Sequence, residues 1–171
     1  MKVIIGANIS INGKVLLDDI QDHQVPQQEA TDYLISTAVQ IGNIVIGKNT
    51  FESIRGLPGG IQGMFPGVEM ILMSSTCQGT SGIKVVGSPE EAIGYLTERG
   101  FTEIAVGGGT ATYNAFLDKD LVTDVCFNII PIITGSGGEL GTNHHLTTRF
   151  NLTEHTLLSD GCMRLHYCKI N

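Results

Sequence analysis

The sequence contains few positive charges. It has ten Lys and Arg against 17 Asp and Glu, which gives a net charge of -7. A general nucleic-acid surface or an anionic membrane surface uses clustered Lys and Arg, so we expect neither of these partners. One phosphorylated ligand remains compatible with this charge, because backbone N–H groups and a helix N-terminus hold phosphate without many cations.

Paired cysteines and long apolar runs are also missing. The four cysteines form no Cys-x-x-Cys pair, so they indicate neither a disulfide framework nor a zinc site. No apolar run approaches the roughly 18 residues of a transmembrane helix. The N-terminal stretch MKVIIGANIS is short and soon interrupted by polar residues, which favours a first strand over a signal peptide. We therefore expect a cytoplasmic protein with free thiols.

The sequence does contain a regular alternation of strand and helix patterns over its first 120 residues. Five apolar runs predict buried strands, at 3–7, 44–46, 70–73, 83–86 and 104–106. Four other segments predict helices, at 28–41, 48–54, 89–99 and 110–117. Strand patterns alone follow, at 122–133, 150–158 and 163–170. This order predicts one α/β domain over residues 1–171, with a mostly parallel central sheet, antiparallel C-terminal strands and flanking helices.

Three predicted strands end in glycine or hydroxyl residues, and in open α/β sheets ligands bind outside the carboxyl ends of the strands. The segment "IGKNTFESI" follows the strand at 44–46. Its glycine permits a tight turn, and the next helix begins with free N–H groups beside a lysine. A capped helix start is the alternative interpretation. The segment "LMSST" ends the strand at 70–73 with hydroxyls, which either hold a phosphate or begin a turn.

The stretch "EIAVGGGTATYNAFL" is the third of these ends. Gly107, Gly108 and Gly109 lie between a strand and a helix that begins near Thr110. Such a junction receives a pyrophosphate on the helix N-terminus, and tight packing of strand on helix is the alternative. It is not the Rossmann fingerprint, because no glycine occupies the last position, and no Gly-Lys-Ser/Thr of a P-loop follows. Together the three segments predict a dinucleotide groove, which a folded Gly108→Val protein is expected to lose.

The order and spacing of these segments resemble the dihydrofolate reductase-like superfamily. The segments that carry the resemblance are "NIVIGKNTFESI", "GLPGG", "MILMSST", "GSPEEAIGYL" and "EIAVGGGTATYNAFL", and "LHYCKI" resembles the last strand of that family. The resemblance implies NADPH as the cofactor. It also implies that residues at the strand ends bind this cofactor: Ala7, Gly47, Lys48, Asn49, Thr50, Ser74, Ser75, Val106, Gly107, Gly108, Gly109, Thr110, Ala111 and Thr112.

Two segments resemble the riboflavin-biosynthesis branch of that superfamily. "ISINGKV" is similar to the Ser-Leu-Asp-Gly-Lys loop of this branch, and "LVTDVCFNIIPIITGSGGEL" is similar to its Leu-Val-Asp-Glu strand. Folate enzymes carry an arginine after the "LPG" loop that grips the folate carboxylate, whereas residues 59–63 contain none. The resemblance therefore favours a 5-amino-6-(5-phosphoribosylamino)uracil reductase or a relative, which implies a homodimer. A dihydrofolate reductase and a non-catalytic NADPH-binding relative are the alternatives.

The expected substrate is a small molecule of the pyrimidine or pteridine type. The resemblance implies that it lies against Asn8, Ser10, Asn12, Phe51 and Arg55. Asp32 is the candidate proton donor, because a carboxyl in an apolar pocket has a raised pKa; a solvated helix residue is the alternative. The adjacent His144 and His145 have no third ligand at a suitable spacing, so no metal site is predicted.

Overall fold

The protein is built around one eight-stranded sheet, and a computed structural model describes residues 1–16, 28–76 and 82–170. The strands are β1 (Lys2–Ser10), β2 (Asn43–Gly47), β3 (Glu69–Met73), β4 (Lys84–Val86), β5 (Glu103–Gly108), β6 (Asp124–Ile130), β7 (Phe150–Leu157) and β8 (Met163–Lys169). The helices are α1 (Gln28–Ile41), α2 (Lys48–Arg55), α3 (Gly60–Met64), α4 (Pro89–Glu98) and α5 (Thr110–Leu117). No helix within these described ranges is long and apolar enough to cross a membrane.

The strand order across the sheet is β4-β3-β2-β5-β1-β6-β8-β7. The pairs among the first six strands are parallel, and β8 pairs antiparallel with both β6 and β7. This topology confirms the predicted mostly parallel sheet with antiparallel C-terminal strands. The carboxyl ends of β1, β2, β3 and β5 consequently meet at the same edge of the sheet.

Helices cover both faces of the parallel part of the sheet. Helices α4 and α5 pack on one face, where Ala92, Leu96 and Phe116 join the larger core cluster. Helices α1 and α2 pack on the other face, where Ala38 and Phe51 join a second cluster. Both faces of this part of the sheet are buried, so the side chains on both sides of each strand are apolar. This explains the continuous apolar runs in the sequence.

Several elements differ from the prediction made from the sequence, and β6, for example, covers Asp124–Ile130 rather than 122–133. The glycine-rich segment 56–67 was predicted to be a loop, but it contains the short helix α3, whose Ile61 and Met64 pack against the second core cluster. Strand β1 continues to Ser10 rather than ending at Ala7. The extension is polar on the face towards α1, where Asn8 and Ser10 are both buried.

Candidate functional site

The carboxyl ends of the central strands open on one cleft with a volume of about 1190 Å³. Thirteen of the fourteen predicted cofactor residues line this cleft: Ala7, Gly47, Lys48, Asn49, Thr50, Ser74, Ser75, Val106, Gly107, Gly109, Thr110, Ala111 and Thr112. The three strand ends identified in the sequence are therefore walls of one cavity. Their binding role stays a prediction, since geometry alone places them together.

Two helices begin at this cleft without a capping side chain. Gly47 is the N-cap of α2 and Gly109 is the N-cap of α5, and neither first turn contains an acidic residue. Helix α4 begins differently: the Ser88 hydroxyl accepts a hydrogen bond from the Glu91 N–H, and its first turn carries two glutamates. The free N–H groups and the positive ends of α2 and α5 are thus left available to a ligand at the cleft.

The charge of the cleft is opposite in sign to that of the whole chain. Lys48 is the only Lys or Arg among the described lining residues, and none of them is an Asp or Glu. With two helix N-termini at the same wall, the local potential favours an anion although the net charge is -7.

Glycines bring β2, β5 and α5 unusually close to one another. A Cβ atom on Gly47 would lie 2.6 Å from the Thr112 Oγ1, and one on Gly107 would lie 2.5 Å from the Ile44 Cδ1. Tight packing is therefore one reason for both glycines. For Gly107 this agrees with the alternative interpretation of the sequence, whereas for Gly47 the alternative was a capped helix start. The same packing brings the start of α5 beside the end of β2, so both helix N-termini reach one cavity.

Thr110, at the start of α5, has a polar atom without a partner. Its Oγ1 is buried and makes no hydrogen bond, although the residue lines the cleft. A buried hydroxyl that lacks a partner is costly. The Oγ1 lies against Gly138, where an added Cβ would be 2.0 Å away, so a ligand oxygen satisfies it once this contact gives way. This orphaned hydroxyl, next to free helix N–H groups, fits a phosphate of a dinucleotide.

Gly108 is the one predicted cofactor residue that does not line the cleft. Its φ is +99°, and a Cβ atom there would lie 2.8 Å from the Tyr113 Oη. The Tyr113 hydroxyl donates a hydrogen bond to the Gly6 carbonyl oxygen at 2.6 Å. Gly108 therefore lies behind the cleft wall, where it keeps the backbone clear of Tyr113.

Among the predicted substrate residues, only Asn8 lines the cleft. The Ser10 hydroxyl donates to the Asn12 Oδ1 at 2.8 Å, and the Asn12 Nδ2 donates to the Thr134 carbonyl at 2.9 Å. These bonds tie the turn after β1 to the segment after β6. Asn12 is thus engaged in holding a loop, although the resemblance assigned it to the substrate.

Phe51 and Arg55, on α2, also lie outside the lining of the cleft. Phe51 is buried in the second core cluster. Arg55 is exposed, and its guanidinium pairs with Glu52 at 2.7 Å. The helical spacing turns Asn49, Thr50 and Ser53 towards the cleft, so these two side chains point elsewhere.

Asp32 lies on the solvent side of α1 and is not a lining residue. Its carboxylate accepts a hydrogen bond from the Gln28 Nε2 at 2.6 Å, and its side chain is exposed. The neighbouring Tyr33 and Leu34 line the cleft, because the helical repeat turns them inward. The solvated-residue alternative therefore describes the position of Asp32, and the structure does not bring a predicted proton donor into the cleft.

The sequence did not single out Tyr33 or Cys126 as site residues, yet both line the cleft. Burial and the nearby Cys126 thiol raise the pKa of the Tyr33 hydroxyl. Burial likewise raises the pKa of the Cys126 thiol. Period-two alternation along β6, with Asp124, Cys126 and Asn128 on one face, is the sequence signal that could have indicated this polar surface.

Asp124, His166 and Cys168 bring three potential metal ligands within 4.8 Å of one another. The Asp124 carboxylate already accepts hydrogen bonds from the Cys168 thiol at 3.0 Å and from the Thr123 hydroxyl at 2.7 Å. The Lys2 ammonium lies 3.6 Å from the same carboxylate and would repel a cation. We therefore interpret the cluster as a buried carboxylate that is already hydrogen-bonded within the protein, and not as a metal site. The adjacent His144 and His145, which were not predicted to form a metal site, are exposed in a turn.

The fold and the cleft together define a dihydrofolate reductase-like domain with a cleft suited to an extended anionic ligand. Residues 70–163, more than half of the chain, match the family profile described as the RibD C-terminal domain. The chain therefore belongs to the RibD C-terminal domain family, and the riboflavin-reductase branch predicted from the sequence is confirmed.

Solved structures with the same fold share little sequence with this chain. A protein from Shewanella sp. PV-4 assigned to riboflavin biosynthesis is 20% identical, with a TM-score of 0.77 and coverage of 100% of both chains. A pyrimidine reductase-like protein from Corynebacterium diphtheriae is 19% identical, with a TM-score of 0.77 over 99% of this chain and 92% of that one.

A third structure is longer than this chain. It is a diaminohydroxyphosphoribosylaminopyrimidine deaminase/5-amino-6-(5-phosphoribosylamino)uracil reductase from Thermotoga maritima, 15% identical with a TM-score of 0.72. The alignment covers 99% of this chain and 56% of that protein. No curated protein matched the sequence.

Proposed function

We propose that this member of the RibD C-terminal domain family is an NADPH-dependent reductase of a pyrimidine, namely 5-amino-6-(5-phosphoribosylamino)uracil or a close relative. The observation that carries the proposal is the cleft itself. Two uncapped helix N-termini, one lysine and an orphaned hydroxyl meet there, and no carboxylate occurs among the described lining residues. Such a wall binds and orients a dinucleotide that carries several phosphates.

The three strand ends have distinct roles in this proposal. The first turns of α2 and α5 bind the phosphates through their free N–H groups, with Lys48 and Thr110 in support. Ser74 and Ser75 at the end of β3 bind the adenosine ribose and its 2′-phosphate. Ala7 and the glycine stretch lie on the nicotinamide side. NADPH supplies a hydride when bound. The protein binds and orients the cofactor and the substrate, and it excludes water from the cleft.

A pyrimidine substrate is favoured over a folate by the charges around the cleft. A folate tail ends in a carboxylate that is normally met by a bidentate arginine. Arg55, the nearest candidate in the sequence, is exposed and pairs with Glu52, and α3 contains no cation. The Thermotoga maritima protein named above acts on the pyrimidine, and the present chain shares its fold.

We also propose that the protein is a cytoplasmic homodimer whose copies meet through β7. Every residue from Asn151 to Leu157 is exposed, so this edge strand has neither face covered. Leu152 is 50% exposed and Leu157 is 70% exposed. An edge strand with uncovered apolar side chains is a typical surface for association.

The cofactor is tested by the melting temperature of the protein with NADPH and with NADH at equal concentrations. NADPH raises the melting temperature, because a ligand that binds only the native state stabilises it by mass action. A smaller rise with NADH identifies contacts to the 2′-phosphate. Equal shifts would contradict the role of Ser74 and Ser75, and no shift with either dinucleotide would overturn the cofactor.

The substrate is tested by following NADPH absorbance with 5-amino-6-(5-phosphoribosylamino)uracil and, separately, with dihydrofolate. We expect NADPH to be oxidised with the pyrimidine and not with dihydrofolate. Oxidation with dihydrofolate that antifolates block would identify the folate alternative. Binding of NADPH without turnover of either compound would identify a non-catalytic relative.

A further inference from the structure

A row of three polar side chains crosses β1, β6 and β8 under α1. Asn8 of β1 is paired with Asn128 of β6, and Asn128 is paired with Arg164 of β8. Asn8 is 7% exposed and Asn128 is 0% exposed. Buried amides must be hydrogen-bonded, so the direction of each bond along this row has structural consequences.

The chemistry of the row fixes the orientation of the Asn128 amide. The Arg164 Nε donates to the Asn128 Oδ1 at 3.1 Å, and a guanidinium has only donors. The Asn128 Nδ2 donates to the Ala30 carbonyl at 3.1 Å, and a carbonyl can only accept. Both neighbours demand the same orientation, so the usual ambiguity between the oxygen and nitrogen of an amide does not arise.

The orientation of Asn128 in turn fixes that of Asn8. The Asn128 Nδ2 also donates to the Asn8 Oδ1 at 2.8 Å, so the oxygen of Asn8 faces the sheet. The Asn8 Nδ2 has no hydrogen-bond partner within the described ranges. Unlike the Thr110 Oγ1, this atom is not fully occluded. Asn8 lines the cleft, so its two N–H donors are the polar groups of this side chain that are left available to a ligand there.

Arg164, at the far end of the row, is itself held in place. Its guanidinium stacks on the Tyr33 ring, with the Cζ 3.5 Å from the ring centroid. Tyr33 is another lining residue of the cleft. A planar guanidinium on an aromatic face is pre-organised, so it loses little freedom when it donates to Asn128.

We propose that Asn8 is a specificity-determining residue that presents only donors to the substrate, and that Asn128 and Arg164 are positioning residues that enforce this. The matching ligand group is an acceptor, the carbonyl oxygen of a uracil ring. A pyrimidine with an exocyclic amino group at that place brings donor against donor and is rejected. This inference rests on the proposed pyrimidine reductase function and adds how the ring is selected.

The orientation is tested in the free protein by hydrogen exchange of side-chain amides in a sample labelled at asparagine. Spectra of Asn8→Ser and Asn128→Ser variants assign the two signals. We expect slow exchange at Asn128, whose N–H groups have two acceptors, and fast exchange at Asn8. Buried Asn43, which donates to the Glu103 carbonyl, is the internal reference for slow exchange. A slow Asn8 amide beside a fast Asn128 amide would overturn the proposal.

The selectivity is tested with Asn8→Asp, which keeps an oxygen towards Asn128 and places an acceptor in the cleft. The two substrates are the uracil compound and its counterpart with an amino group in place of one ring carbonyl. We expect the ratio of their kcat/KM values to shift at least tenfold towards the amino compound, with unchanged NADPH affinity. The control is Gln40→Ala, an exposed amide on α1 outside the cleft lining, which leaves the ratio unchanged.

An equal loss of kcat/KM for both compounds in Asn8→Asp, or a loss of NADPH affinity instead, would show that Asn8 does not select the ring.

The positioning role of Arg164 is tested with Arg164→Lys, which still has only donors, against Arg164→Met. We expect KM for the uracil compound to rise about three- to tenfold in the methionine variant, with kcat retained, and the lysine variant to restore it. If neither pyrimidine is reduced, the proposed function fails, while amide exchange still decides the orientation.

Discussion

Thr110 is the residue whose chemistry most directly reports on the cleft. Its Oγ1 is buried without a partner in the free protein. Thr110→Val keeps the shape and removes the hydroxyl, so we expect unchanged or slightly higher stability. The affinity for NADPH is expected to fall about three- to tenfold, because the loss of one hydrogen bond costs about 1 kcal/mol. Calorimetric titration and urea unfolding measure the two effects.

The control for Thr110 is Thr97→Val on α4. The Thr97 hydroxyl donates to the Ile93 carbonyl within its own helix, and the residue is not in the cleft lining. Its replacement leaves NADPH affinity unchanged. Equal affinity of the Thr110→Val protein and the wild type would show that the Thr110 hydroxyl has no part in the proposed binding of phosphate.

Gly108 shows that a residue in a motif can be required for folding rather than for the ligand. Gly108→Val was expected from the sequence to yield a folded protein without cofactor. The structure predicts a loss of more than about 2 kcal/mol of stability instead, because φ is +99° and the side chain would meet the Tyr113 Oη. Urea unfolding checks this value.

The matched control for Gly108 is Gly94→Ala in α4. A Cβ atom on Gly94 would meet nothing within 4 Å, and the residue lies in a helix interior. Alanine is expected to stabilise the protein by about 0.5–1 kcal/mol there. A Gly108→Val protein as stable as the wild type would show that the backbone adapts to the side chain.

At the scale of elements, Asp124 links the stability of the pairing between β6 and β8 to pH. Burial by itself raises the pKa of the Asp124 carboxyl, but hydrogen bonds from Cys168 and Thr123 and the charge of Lys2 outweigh it and hold the pKa below its ordinary value. A depressed pKa stabilises the native state above the unfolded-state value of about 3.9. This stabilisation is lost as the pH falls through the lower native value.

Asp124→Asn is therefore expected to lower the free energy of unfolding at pH 7 and to flatten its decrease below about pH 4. Urea unfolding from pH 7 to pH 2.5 measures both. Glu98→Gln, at an exposed position on α4, serves as the control and retains the acid dependence of the wild type. If the free energy of unfolding of Asp124→Asn still fell steeply below about pH 4, other carboxyl groups would be responsible for the acid dependence.

At the scale of the whole molecule, the uncovered edge at β7 predicts the oligomeric state. We expect light scattering after size exclusion to give a dimer for the wild type and a monomer for the double variant Leu152→Lys, Leu157→Lys, because lysines on an edge strand prevent pairing. Val39→Lys, at an exposed position on α1, remains dimeric. A monomeric wild type at micromolar concentration would contradict the proposed interface.

Local patterns by themselves determined most of the architecture. Strand and helix periodicity depends on which neighbours along the chain are apolar, so α1 was predicted with the bounds that the structure has, and the parallel order followed from alternation. The three strand ends that line the cleft were also visible in the sequence, because glycine and hydroxyl residues at strand ends are local features. Helix α3 was not, since its two glycines disfavour a helix locally and core packing of Ile61 and Met64 outweighs them.

Only the tertiary structure decided which side chains share the cleft. Asp32 and Tyr33 are adjacent in sequence, yet the phase of α1 against the sheet turns one to solvent and the other inward. The row of Asn8, Asn128 and Arg164 joins residues that lie 120 and 36 positions apart along the chain, and their meeting depends on the register of three strands. Sequence patterns report what each element is, whereas the direction of a hydrogen bond across elements exists only once they are packed.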